Sequence, residues 1–337
     1  MNTIGYDMQE IYPNIYTFPI VLPNCPLREV HTYIIKGQDR TVVIDTGYNQ
    51  AESLNAMMEG LDELGVKMKD VHLVLTHLHA DHTGLARIFY EAGATIYAGY
   101  TDGNLMNQMA TGEYWDLLDS FRPLYGISEN EMSINDNPGY RFCLKKPVPF
   151  KTLDIGSIFR VGGFKFEILN LIGHTPGHIG LYDRQKQLLI GADTVLDPIT
   201  PNITFWGWDY PNILSTYLTT LDKLKRLPIR LMLPGHRNPI INVKQRIDEL
   251  EEHHFERLQE ILDVIKTGER VTVRDVSSRI RWRIKATNWD DFPRPQKWFA
   301  SGETMAHLDY LVHSEHLSMS KENGVLYFEK ILPTVSK

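Results

Sequence analysis

Cysteine is scarce in this chain of 337 residues; there are two, Cys25 and Cys143. Neither belongs to a Cys-x-x-Cys pair, which excludes a cysteine-ligated zinc cluster and a dithiol redox motif. Two free thiols in a reducing compartment are expected, and a disulfide would need a proximity that spacing alone does not supply. No stretch approaches the roughly 18 consecutive apolar residues that span a bilayer, so no membrane helix is expected. Met1–Tyr16 has no basic start followed by an apolar run, which argues against a secretory leader and makes the cytoplasm the expected location. Positive charge is not in excess either. Lys and Arg total 35 against 42 Asp and Glu, a formal net charge of −7. The surface as a whole therefore has no electrostatic reason to bind nucleic acid or an anionic membrane.

What is present is an ordinary globular mix, with 42% hydrophobic and 23% charged residues. The length accommodates one large and one small unit. It is sufficient to bury a core without disulfide staples.

The first part alternates β and α patterns. Thr32–Ile35 and Thr41–Ile44 are β-prone runs joined by the turn Lys36-Gly37-Gln38-Asp39, which reads as a hairpin. Leu54, Met57, Met58, Leu61 and Leu64 recur at helical spacing over 49–65. Val71–Leu75 is almost wholly apolar, as in a strand covered on both faces. A second helix over Gly84–Ala92 leads to a strand at Thr95–Ala98. From Tyr100 to Phe150 the pattern becomes apolar and aromatic with helical character, carried by Met106, Met109, Trp115, Leu118, Phe121 and Tyr125. It reads as an inserted lid, with extra core as the plainer alternative.

Strand patterns return at Phe159–Val161, Phe164–Asn170, His178–Tyr182 and Leu188–Ile190. A helix at Ile213–Arg226 and a strand at Arg230–Leu233 follow. Past Val243 the chain turns helical. Phe255, Leu258, Ile261, Leu262 and Ile265 form one apolar face. Val273–Ile280 and Thr304–His313 predict two short helices, and Gly324–Glu329 a terminal strand. The expected division is a main unit over 1–245, with its insert at about 100–150, and a second unit over 246–337.

The chemistry concentrates in Thr76-His77-Leu78-His79-Ala80-Asp81-His82-Thr83-Gly84. Three imidazoles and one carboxylate fall at the end of an expected strand. Alternation along that strand lets His77 and His79 face the same way. The turn that follows can bring Asp81 and His82 round to another side of one pocket. Neutral imidazole and carboxylate suit zinc and related divalent metals. A solvated His-rich loop is the plain alternative, and the density of ligand types argues against it. His174, Asp193 and His236 each stand just past an expected strand beside a glycine, in Gly173-His174-Thr175-Pro176-Gly177-His178, Gly191-Ala192-Asp193 and Pro234-Gly235-His236. Singly each is weak; in this order they are strong.

This ordered set resembles the metallo-β-lactamase superfamily, and Val43-Ile44-Asp45-Thr46-Gly47 is similar to its supporting motif. The resemblance covers about Tyr12 to Arg237. It implies an α/β fold, a four-layer αβ/βα sandwich with the site at one edge, here carrying a helical insert. It implies that His77, His79 and His174 bind a first divalent metal ion, that Asp81, His82 and His236 bind a second, and that Asp193 bridges both. Zinc is the leading candidate, with iron or manganese as alternatives. Asp45 would support the motif loop from outside the ligand set, and His178 would be structural. A metal-bridging hydroxide would attack the substrate, with Asp81 orienting it and passing its proton to the leaving group.

Glu251-Glu252-His253-His254, Arg257 and Ala306-His307-Leu308-Asp309-Tyr310-Leu311 resemble the winged-helix extension of lactamase-beta-2-like proteins. Relatives of that branch include glyoxalase-II-like thioesterases and a single-strand endoribonuclease. Acidic residues slightly outnumber basic ones from Arg246 to Lys337, which favours a packing or dimerising role over nucleic-acid reading. A homodimer stays open. The expected function is hydrolysis of a small acyl substrate, a thioester or ester. Trp206, Trp208 and Tyr210, with Phe205, are candidates for an apolar substrate wall, with core packing as the alternative. Cleavage of single-stranded RNA is a second reading; it needs a basic track toward Arg279, Arg281, Arg283 and Lys285. Redox chemistry at a di-iron version of the site is a third.

Overall fold

The computed structural model describes residues 8–38 and 40–331. Asp39, in the expected hairpin turn, and the first seven residues, part of the leader argument, lie outside the described residues.

Seven strands form the first sheet in sequence order: β1 (Gln9–Tyr12), β2 (Ile15–Val21), β3 (Glu29–Lys36), β4 (Thr41–Ile44), β5 (Val71–Leu75), β6 (Thr95–Ala98) and β7 (Lys151–Thr152). β1 to β4 pair antiparallel, and β4 to β7 run parallel. The parallel part is reached through helical crossovers: α1 (Ala51–Glu63), then the short α2 (Ala80–Thr83) with α3 (Ala86–Glu91), then the insert. The insert holds α4 (Tyr100–Thr111), α5 (Glu113–Leu124) and α6 (Pro138–Phe142). The helix expected over Gly84–Ala92 is α3, and the short α2 precedes it, separated from it by Gly84 and Leu85. A side chain on Gly84 would strike the backbone of Gly47, Asn49 and Ala80.

The second sheet contains β8 (Ile158–Val161), β9 (Phe164–Asn170), β10 (Ile179–Asp183), β11 (Leu188–Ala192) and β12 (Leu231–Pro234). Its first four strands are antiparallel neighbours. β12 returns parallel to β11 through α7 (Ile213–Lys225).

Strand alternation separates the layers. Tyr33 and Ile35 of β3, Val42 and Ile44 of β4, Phe166 and Ile168 of β9 and Leu188 and Ile190 of β11 fill the space between the sheets. Their neighbours Ile34, Val43 and Leu189 belong to the apolar layers under the helices. α1 covers the first sheet, with Gly60 pressed on the Phe18 ring. α7 covers the second, where the Tyr217 hydroxyl donates to the Thr194 carbonyl and Thr220 to that of Ile172. The layers are helix, sheet, sheet, helix.

Past β12 the chain forms α8 (Val243–Val264), α9 (Val273–Arg279), α10 (Arg294–His313) and a hairpin of β13 (Leu317–Glu322) with β14 (Val325–Lys330). The short helix expected from Thr304 begins ten residues earlier in α10. Pro295 sits in its first turn, where no intrahelical N–H is needed. α10 is buried on nearly every side, the mark of a central helix. β13 was not expected; its side chains after Leu317 are exposed, and Met319 is the one apolar residue among them.

Both cysteines are free, Cys143 buried and Cys25 partly so. Among the described residues no helix is long and apolar enough to cross a membrane.

Candidate metal centre

Four strand ends meet at one edge of the sandwich. The loop after β5 carries His77, His79, Asp81 and His82. The loop between β9 and β10 carries His174. Asp193 follows β11, and His236 follows β12. The sequence separates these residues by up to 159 positions in numbering, yet His236 Nε2 lies 3.2 Å from an Asp81 oxygen.

Local backbone makes the approach close. Ala192 and Arg237, each next to one of these residues, hold positive φ angles of 41° and 67°, a region that non-glycine residues rarely occupy outside functional turns. Gly235 has no room for a side chain; a Cβ there would run into the Asp193 carboxylate and the His82 ring. The Tyr33 hydroxyl donates to the Pro234 carbonyl at 2.6 Å and ties the end of β12 to the first sheet.

Each ring is oriented by what its other nitrogen touches. His236 Nδ1 meets the Glu29 carbonyl at 2.6 Å, and His174 Nδ1 meets that of Asn202 at 2.9 Å. A carbonyl only accepts, so Nδ1 carries the hydrogen and Nε2 keeps its lone pair. His82 Nδ1 donates to Asp45 Oδ2 at 2.8 Å with the same result. The Thr76 hydroxyl donates to Asp45 and is left to accept from His77 Nδ1. His79 alone faces the site with Nδ1.

The free lone pairs gather in two groups. His77 Nε2 lies 3.1 Å and His174 Nε2 2.9 Å from His79 Nδ1. A single hydrogen on His79 can serve only one of these neighbours. The second group is Asp81, His82 and His236, whose donor atoms lie within 4.8 Å of one another. Asp193 Oδ2 stands between the groups, 3.6 Å from His174 Nε2 and 3.5 Å from the Nε2 atoms of both His82 and His236. His82 Nε2, His236 Nε2 and Asp193 Oδ1 are buried without a hydrogen-bond partner. Orphaned buried acceptors are costly unless something positive meets them. The donor set, nitrogen and carboxylate oxygen, fits divalent metal ions.

The electrostatics differ between the groups. Burial, reinforced by the adjacent His174 ring, lowers His79 to about 3, so that ring is neutral. Burial would also lower His236, but Asp193 and Asp81 outweigh it and push the ring up to about 9, so with no cation between these carboxylates a second proton would take the Nε2 lone pair that a metal ion would otherwise use. Burial would raise the Asp81 carboxyl, yet His82 and His236 hold it at about 2. The second group is a carboxylate-rich pocket that attracts positive charge.

Asp102, at the start of α4, is absent from the sequence reading. It is buried and accepts from the backbone N–H groups of Leu78 and Gly177 and from the Thr175 hydroxyl. It therefore joins the loop after β5 to the loop bearing His174. Burial pushes its carboxyl up to about 7 against the pull of these three donors. His178 stacks on His77 at 4.7 Å between ring centroids and borders Thr194; it is not among the clustered donors.

The site opens into a cavity of about 480 Å³. His79, Asp81, His174, Asp193 and His236 form its floor. Trp115, Leu118, Phe121 and Met132 of the insert line one wall, and Trp282, Trp298 and Phe299 of the C-terminal region another. Trp206 lines it. Trp208 and Tyr210 do not. Gly207, at φ +108°, turns the chain after Trp206, and Trp208 packs on Phe205 with 46% of its surface exposed.

Residues 25–236 match the Metallo-beta-lactamase superfamily, and the chain belongs to it. It is a metal-dependent hydrolase of that superfamily. It is 24% identical to the "Probable metallo-hydrolase YqjP" of Bacillus subtilis, over 89% of this chain and 93% of that one. It is 26% identical to the hydroxyacylglutathione hydrolase GloC of Haemophilus influenzae, over 64% and 89%. It is 25% identical to the acyl-coenzyme A thioesterase MBLAC2 of Gallus gallus, over 61% and 72%. A metallo-beta-lactamase family protein from Thermus thermophilus superposes with a TM-score of 0.82 at 26% identity, covering 95% of this chain and 99% of that one.

Proposed function

We propose that the chain hydrolyses a small acyl substrate, a thioester or an ester, with two divalent metal ions, zinc first. His77, His79 and His174 would hold one ion, Asp81, His82 and His236 the other, and Asp193 both. The observation that carries this reading is the pair of lone-pair clusters opening on an apolar cavity. Bound divalent ions lower the pKa of water toward neutrality and polarise a carbonyl.

The rest falls to this chain's own groups. Asp81 lines the cavity and is held as a carboxylate, so it is placed to take a proton from attacking water and return it to the leaving group. The aromatic walls bind the acyl group and exclude bulk water. The relatives named for thioester chemistry, GloC and MBLAC2, support the choice of substrate class.

The charge lining the cavity favours a small molecule over RNA. Among the described residues Arg141 is the single arginine or lysine along it, against Asp81, Asp136, Asp193 and Glu303. Arg279 and Arg281, part of the basic cluster that an RNA track would need, are paired with Glu269 and Glu260. In this reading residues 1–245 are the catalytic unit and 246–337 a winged-helix-like unit that packs against it.

The test is metal-loaded protein assayed on a panel of thioesters, esters and lactones, with Asp193→Ala alongside. Wild-type turnover on one acyl class is expected, with metal content and turnover falling together in the variant. Cleavage of single-stranded RNA without acyl turnover would replace this reading. Full metal content in Asp193→Ala would remove the bridging assignment.

A further inference from the structure

Asn202 links α10 to His174. The Asn202 carbonyl accepts the Nδ1 hydrogen of His174, which sets the rotation of that ring. The Asn202 side chain turns the other way, toward α10. Its amide nitrogen donates to Oε2 of Glu303 at 2.9 Å and to the Phe299 carbonyl at 3.3 Å. An amide has two hydrogens, so both are committed to this helix.

Glu303 is a costly group to place there. It is only 9% exposed, and a buried carboxylate is tolerated when partners surround it. Its second oxygen lies 3.7 Å from Arg257 Nε on α8. One residue earlier, the Gly302 carbonyl accepts from the Phe205 N–H at 3.1 Å. Thr204 lies so close to Gly302 that a Cβ would collide with its hydroxyl. The segment 202–205 is therefore fastened to α10 at both ends. Apolar packing would hold the helix in place without a carboxylate; what the carboxylate adds is a fixed position for Asn202.

We infer that Glu303 is a positioning residue for the metal centre, clamping Asn202 so that its carbonyl holds His174 in the ligating orientation. The inference rests on the reading of His174 as a ligand. It makes the C-terminal region part of the metal centre's framework as well as a wall of the cavity.

The experiment uses the full chain and measures zinc affinity by chelator competition, with denaturant unfolding of each variant as the check on folding. His174→Ala is expected to lose one metal equivalent. Asn202→Ala and Glu303→Ala are expected to weaken retention about tenfold, the lower end for loss of an outer partner of a metal-bound histidine. Glu303→Gln keeps an oxygen that accepts from Asn202 and is expected to stay near wild type.

Folded Asn202→Ala and Glu303→Ala proteins that hold zinc like wild type, beside a deficient His174→Ala, would overturn the inference. Glu303→Gln as weak as Glu303→Ala would also overturn it, by assigning the effect to the charge opposite Arg257. His174→Ala with full zinc affinity would overturn the ligand reading itself.

Discussion

Asp45 holds His82 through its Nδ1 hydrogen at 2.8 Å while also accepting from the Thr76 N–H at 2.8 Å and the Thr76 hydroxyl at 2.7 Å. One carboxylate thus fixes the tautomer of one histidine and, through Thr76, of a second, His77. Asp45 itself sits at φ +60°, a strained geometry in which three convergent donors keep it.

Asp45→Asn tests this relationship. The amide keeps the shape but must turn its NH₂ toward His82 and the Thr76 hydroxyl, or toward the Thr76 N–H. In the first case His82 Nδ1 becomes an acceptor and the hydrogen moves to Nε2, the face needed for a metal. In the second case donors face each other. Metal affinity is expected to fall about 10–100-fold, read by chelator competition. An unchanged affinity would show that His82 needs no such anchor.

Asp102→Asn tests the link between the two ligand loops. An amide cannot accept from Leu78, Thr175 and Gly177 on both sides, so at least one buried donor is left unpaired. A loss of about 1–3 kcal/mol in unfolding free energy is expected, with weaker metal retention, since His79 and His174 stand on the joined loops. Wild-type values for both would mean the loops hold their places independently.

Trp206→Ala tests the cavity wall. The indole N–H donates to the His174 carbonyl at 3.1 Å, and its ring lies 5.6 Å from that of His79. Loss of a large buried apolar side chain is worth about 1.5–3 kcal/mol, or roughly 10–100-fold in KM on an acyl substrate if binding is uniform. kcat is expected to move less. Trp206→Phe should fall between. An unchanged KM with normal metal content would place the acyl group elsewhere.

The part of the site legible in the sequence was the part that is local. His77, His79, Asp81 and His82 are dense enough to stand out, and His174, Asp193 and His236 were marked by strand ends and adjacent glycines. Asp102, Asn202 and Glu303 carried no such mark. Their partners are 24 to 101 positions away along the chain, and an isolated acidic or amide residue looks like any other until the fold closes. The core strands were legible through apolar runs, including β5 and β9. β1 and β2 were not assigned. β2 carries Pro19, and proline inside a run weakens a strand assignment. Helix α10 begins ten residues before the expected Thr304–His313 helix, with Pro295 in its first turn, where no intrahelical N–H is required.

The four loops that bear the clustered histidines and aspartates belong to two sheets. His77 to His82 follow a strand of the first sheet; His174, Asp193 and His236 follow strands of the second. Any cation held among them is a cross-link across the sandwich, closing chain segments of about 100 residues or more, for which a covalent bridge would be worth about 4–5 kcal/mol in lost unfolded-state freedom. The two cysteines are both free and supply no such bridge. With such a cation bound, the role that disulfides play in small secreted domains would pass to coordination bonds, and a chelator, rather than a reductant, would be the reagent that loosens the fold.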